Sequence, residues 1–191
     1  MLLTEHSKPI IKGHLRVYEQ ETGNLLLDRH NDIHNENFSK ALAYSLANQG
    51  NTIQALALGS GGVRVNASNE FLYSSPQIIG RTAALYSETY RKIIDQHSVE
   101  NPDSTRNYIT VEHGSGNEYT DIKCHCTLEK NEPASQAVLT NTNEIISEYT
   151  FNEAGLLTSA GDLITHLCFY PIAKSNDITL IFDYIIRIQM V

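Results

Sequence analysis

Apolar and polar positions alternate along much of this chain with the period of two that marks a β-strand. Residues 10–18, Ile-Ile-Lys-Gly-His-Leu-Arg-Val-Tyr, follow it loosely. Turn-forming Glu21 to Asn24 come next, and Leu25 to Arg29 read as the returning strand, so a hairpin is expected near the N-terminus. One segment has the helical period instead. Phe38, Leu42 and Leu46 recur at spacings of four, with Ala41 beside them. That stripe predicts an amphipathic helix over 36–49, capped by Asn35 or Asn37 and stopped at Gly50-Asn51.

Beyond the helix, Ile53 to Leu58 is a short apolar strand that runs into Gly59-Ser60-Gly61-Gly62. Residues 66–107 read as a long connection, rich in Asn, Ser, Gly and Pro over 66–80. Within it, Leu85 to Ile94 fits two patterns: Tyr86 and Tyr90 have helical spacing, whereas Thr89, Tyr90, Ile93 and Ile94 favour a strand. The second half is more plainly β. Strands are expected at Tyr108–Glu112, Tyr119–Leu128, Glu144–Phe151, Leu163–Tyr170 and Ile178–Val191, with a turn at His113–Asn117. In Tyr119–Leu128 the core face is Thr120, Ile122, Cys124, Cys126 and Leu128 by its chemistry.

The closing strand is long, with Ile178, Leu180, Phe182, Tyr184, Ile186, Ile188 and Met190 on one face. A strand of that kind is covered on both edges, at the centre of its own sheet or by another subunit. These elements predict a single mainly β domain: an antiparallel, jelly-roll-like β-sandwich with one flanking helix.

Composition narrows the function. With 191 residues the chain buries a sufficient core without disulfides or metals as staples. Fourteen basic against 22 acidic residues give a net charge of −8, the wrong sign for a nucleic-acid partner. The apolar runs are too short to span a bilayer, so no membrane partner is expected. The N-terminal residues lack a secretory pattern, and Cys124, Cys126 and Cys168 do not make a disulfide framework. Synthesis in a cytoplasm with free thiols is the expectation.

Several residue groups invite a chemical reading. Asp28, His30, Asp32, His34 and Glu36 alternate and would share one face of a strand, but Asp and Asn ahead of a helix are routine capping chemistry. In Cys124-His125-Cys126 a strand turns the thiols to the core and the imidazole away, and only His166 and Cys168 are left to complete four zinc ligands. Gly59–Gly62 lacks the lysine and following helix of a phosphate loop, so a tight turn or a close backbone approach is the better reading. His113-Gly114-Ser115-Gly116 does not make a nucleophile elbow. Neither a catalytic nor a metal site is assigned, and no cofactor is expected. Ten tyrosines without a tryptophan suit both a protein-binding surface and ordinary sheet packing.

Two stretches carry a resemblance. The opening, Gly13 to Gly23 with Asp28 to Asn37 and Ser45 to Asn48, together with Leu58 to Gly62, resembles small virion proteins of tailed bacteriophages. Ile145 to Leu156, continued by Leu163 to Pro171, is similar to phage attachment domains, and its Glu153-Ala154-Gly155-Leu156 looks like segments in the anchoring domains of tail-collar fibres. The resemblance implies a non-enzymatic virion component of neck, tail or baseplate, partnered by copies of itself and neighbouring virion proteins. No fibre shaft is expected beyond the closing strand, which points to a compact component. Expected contact residues are Gly59, Ser60, Gly61 and Gly62 with Ile178, Leu180, Phe182, Tyr184, Ile186 and Ile188. Alternatives are a capsid decoration protein and a small carbohydrate-binding or hydrolytic β-sandwich.

Overall fold

The computed structural model describes residues 8–80, 82–114, 118–133 and 150–190. The expected N-terminal hairpin is present as β1 (Pro9–Glu19) and β2 (Leu25–Ile33). Helix α1 (Asn35–Leu46) follows, then β3 (Ile53–Gly59), β4 (Val63–Val65), β5 (Phe71–Tyr73), β6 (Glu88–Ile93), β7 (Asn107–His113) and β8 (Tyr119–Leu128). The chain ends in β9 (Thr150–Thr158), β10 (Thr165–Ala173) and β11 (Leu180–Met190). Of the strand expected at Glu144–Phe151, residues 144–149 lie outside the described residues, as do 115–117 of the expected turn and Val191.

Among the described residues nine strands form one antiparallel sheet in the order β6-β3-β9-β10-β2-β1-β11-β8-β7, and β4 and β5 make a separate small hairpin. The sheet curls until it nearly closes, giving a mainly β, barrel-like sandwich with one helix. Side chains stitch the gap between its two edges. The Gln96 amide, just past β6, donates to Ile109 O (3.0 Å) and accepts from Ile109 N (2.8 Å) on β7. Lys92 of β6 donates to Thr127 O on β8 (2.7 Å) and pairs with Glu132.

The interior is filled from both halves of the chain. Leu15 and Val17 of β1, Leu56 and Leu58 of β3, Cys124 and Cys126 of β8, and Phe151, Ala154 and Leu156 of β9 belong to one apolar cluster. The outer face of β2, β1, β11, β8 and β7 is polar. Asp28, Arg16, Asp183, His125 and Tyr108 stand side by side across these five strands, each on the residue opposite.

Four expectations need adjustment. The 66–107 stretch is not all connection: β5 and β6 lie inside it, and β6 settles the ambiguous 85–94 pattern as strand. The helix spans Asn35–Leu46 rather than 36–49, because Asn48 turns left-handed (φ 54°) and closes a Schellman end, with Asn48 N to Ser45 O and Gln49 N to Tyr44 O. Its N-cap is His34, whose Nδ1 accepts from Asn37 N, not Asn35 or Asn37. Only the first half of the predicted stripe is buried: Phe38 and Ala41 are covered, Leu42 is 42% and Leu46 80% exposed.

Candidate functional site

The glycine run after β3 meets β9 at one buried carboxylate. Asn152 and Glu153 are fully buried on β9 although every neighbour on that strand is buried too. An ionised carboxylate in such a place needs its acceptor positions filled. Glu153 Oε1 accepts from Gly61 N (2.9 Å) and Ser87 N (2.7 Å), and Oε2 from Tyr86 N (2.8 Å) and the imidazole Nε2 of His166 (3.1 Å). Burial pushes its pKa up, but the imidazole and the three backbone N–H groups outweigh burial and hold the carboxyl below its usual 4.5. Asn152 secures the next residues of the loop, accepting from Gly62 N (2.8 Å) and donating to Ser60 O (3.0 Å).

The glycines are demanded by this packing. A Cβ on Gly61 would lie 2.6 Å from Tyr86 Cβ and 2.7 Å from Ser87 N. On Gly62 it would lie 2.6 Å from Asn152 O. The run is therefore a backbone pressed against its neighbour.

A Glu, His and Cys in one place invite comparison with a nucleophilic triad. The geometry does not make one. Gln77 N donates to His166 Nδ1 (2.7 Å), so the ring proton sits on Nε2 and goes to Glu153. Cys168 Sγ lies 3.9 Å from that same Nε2, which is already committed. Burial, reinforced by Glu153 and Asp32, pushes the Cys168 thiol up to about 12. A triad would hold its acid and its nucleophile on opposite ring nitrogens. Here Glu153, held by His166, is a strut that fixes the backbone at Gly61, Tyr86 and Ser87.

The loop so fixed carries an aromatic surface. Tyr86 donates its hydroxyl to Ser75 O (2.7 Å) and stays partly exposed. Leu72 and Tyr73 of β5 are exposed, and Phe71 meets Tyr170 of β10 edge-on at 5.0 Å. Tyr170 is 60% exposed. Gly61, Arg64, Tyr73, Ser74, Ser75 and Tyr86 line a shallow cleft of about 480 Å³. Arg64, exposed on β4, has no acidic partner among the described residues.

Other expected site residues fall elsewhere. Leu180, Phe182, Tyr184 and Ile186 of β11 are buried in the chain's own core, and Ile178 and Ile188 pack against it. That face of the closing strand is turned into the chain's own core, and β1 and β8 occupy both of its edges. Gly59 to Gly62 serve as the pinned support of a surface. Asp28, His30 and Asp32 face outward on β2, whereas buried His34 turns to the helix cap and Gly80 O (2.9 Å), so the five alternating residues do not share one face. Among the described residues no three potential ligands gather around a metal position. Cys124 and Cys126 lie in the core, and His125 turns outward to Asp183 (2.7 Å) with Tyr108 stacked on it.

Sequence reading missed Asn152 and Glu153 as a hub, and Arg64, Tyr73, Tyr86 and Tyr170 as a surface. The signal for the hub was an Asn-Glu pair inside an otherwise apolar strand. The surface residues lie on separate elements, and no local pattern joins them. Gly61, Glu153 and His166, from three separate elements, meet at this carboxylate. Compared with known proteins, the chain matches no family model, no curated protein and no solved structure.

Proposed function

We propose that the chain is a non-enzymatic structural protein of a tailed-phage virion, a component of neck, tail or baseplate that assembles with copies of itself. The carrying observation is the exposed cluster of Leu72, Tyr73, Tyr86 and Tyr170 over a backbone fixed by Glu153. Rigid aromatic side chains bury much area at little entropic cost, and tyrosine is enriched at protein interfaces. Arg64 beside them meets the acidic surface of a second copy, whose net charge is −8. The titratable groups beneath are spent on holding this surface in place, which supports a role in assembly over one in catalysis.

A second reading, a sugar-binding β-sandwich, is favoured by the cleft where Tyr73 and Tyr86 flank Arg64. Sedimentation velocity separates the two. Assembly predicts an oligomer at micromolar concentration that dissociates at least tenfold more readily in the Tyr73→Ala, Tyr170→Ala double variant. Electron microscopy of that oligomer should show a closed ring. A monomer up to the highest soluble concentration overturns the assembly reading, and saturable oligosaccharide binding lost in Tyr73→Ala then supports the second.

A further inference from the structure

Residues 74–80 form a strap beside the aromatic surface, and histidine holds it. Its ends are tethered by Ser74 N, which donates to Gly62 O (2.8 Å), and by Gly80 O, which accepts from His34 Nε2 (2.9 Å). Its middle is held by Gln77 N, which donates to Nδ1 of buried His166 (2.7 Å), and by Ser75 O, which accepts from the Tyr86 hydroxyl. We infer that His166 is a pH-operated latch: a proton added to its ring releases the middle of the strap and loosens the aromatic surface through which copies associate. The part that concerns association rests on the assembly reading.

The geometry leaves the added proton one place to go. His166 already carries a proton on Nε2, directed at Glu153 Oε2 (3.1 Å). A second proton must therefore sit on Nδ1, the atom that accepts from Gln77. An imidazolium has no lone pair left to accept with, so two N–H groups would point at each other across that short gap. The strap gives way, not the ring. The ring is buried on β10, between β2 and β9, and keeps its bond to Glu153. The strap lies outside, with Ser75 and Ile79 exposed.

The groups around the ring set a balance. Glu153 on β9 is held below its usual 4.5, so it is still negative through the range where histidine titrates. Asp32 on β2 stands opposite His166 in register. Both carboxylates favour the imidazolium. Cys168, on the same strand as His166, is a neutral thiol, and the uncharged Tyr86 ring lies 5.7 Å away. The strap itself, Ser-Ser-Pro-Gln-Ile-Ile-Gly, has no charged side chain. Burial and the bond from Gln77 oppose the charge. His34 keeps its end of the strap tied at any protonation state, because its Nδ1 accepts from Asn37 N and Nε2 remains a donor to Gly80 O. The middle thus moves out between two fixed ends. Ser75 leaves the wall of the cleft, and Tyr86 loses its hydroxyl acceptor.

The test is NMR of the full chain from about pH 8 to about pH 5, the range in which histidine changes charge. Ring ¹⁵N signals read the protonation of His166, and amide exchange, corrected for its intrinsic pH dependence, reads the strap. Protection at Gln77 should fall roughly tenfold in step with protonation of Nδ1, while β3 and β9 stay protected. His166→Asn offers an acceptor near the Nδ1 position with no proton to gain, so Gln77 should stay protected at the acid end. Gln77→Pro removes the opposing N–H, so its His166 should take up a proton at higher pH than in the parent protein. Protonation with Gln77 still protected overturns the latch, as does an imidazole that stays neutral until the sheet unfolds or one that titrates identically in Gln77→Pro. Sedimentation over the same range separates the two readings. An oligomer should weaken at the acid end, and one that is equally strong while Gln77 opens overturns the link to the surface. No oligomer at any pH overturns the assembly reading instead, and the latch is then judged on the amide and ring signals alone.

Discussion

Gly61 has no room for even one methyl group, since its place would be 2.6 Å from Tyr86 Cβ. Backbone, not a flexible side-chain end, is the second obstacle, so the strand or the loop must shift. Gly61→Ala should therefore destabilise the fold by about 1–3 kcal/mol, read as a lower urea midpoint with unchanged slope. Glu153 adds a pH dependence of known sign. Its carboxyl is held below the usual 4.5, so its stabilisation is complete above that value and is lost as pH falls through the lower, folded value. Glu153→Gln places an amide where backbone N–H groups converge. It should cost roughly 3 kcal/mol at neutral pH and flatten the decline in stability below the ordinary carboxylate range, measured by circular dichroism on acid titration. Sequence reading reached half of this arrangement. The glycine run, lacking a lysine, was legible as a close backbone approach. Its partner was not, because Gly61 and Glu153 are 92 residues apart and only the folded sheet aligns them.

At the scale of elements, strand periodicity was the legible signal and helix ends were not. The length and two-faced character of β11 indicated a covered position, and it lies between β1 and β8. The helix stripe over-reaches, because Asn48 takes a left-handed conformation and ends the helix before Gly50-Asn51. The tyrosine spacing hid β6, an edge strand whose outward residues need not be apolar. Edges also explain Gln96. A bare edge invites pairing with other chains, and here one side-chain amide mimics a strand neighbour for Ile109. Gln96→Ala should leave both Ile109 backbone groups without that partner. Faster amide exchange at Ile109, a loss of about 1 kcal/mol and greater light scattering on storage are the expected outcomes.

The whole molecule is organised by long-range pairing. Pro9 of β1 stands opposite Met190 of β11, and that register continues to Glu19 opposite Leu180. β11 in turn pairs with β8 along its length, from Leu180–Leu128 to Gln189–Tyr119. Contacts of this separation make folding slow relative to helical proteins of equal size. The mainly β class could be read from local alternation, whereas this closure could not, since no window of sequence contains both partners.

Synthesis runs in one direction, and that gives the position of β11 a meaning in time. On the ribosome, β1 is made long before β11 and waits with one edge bare until β11 is free to pair with it. β8 waits beside it. A chain interrupted before residue 180 thus carries two long, apolar, unpaired strand edges. The nascent protein must be shielded, or made in small enough numbers, until β11 pairs between β1 and β8.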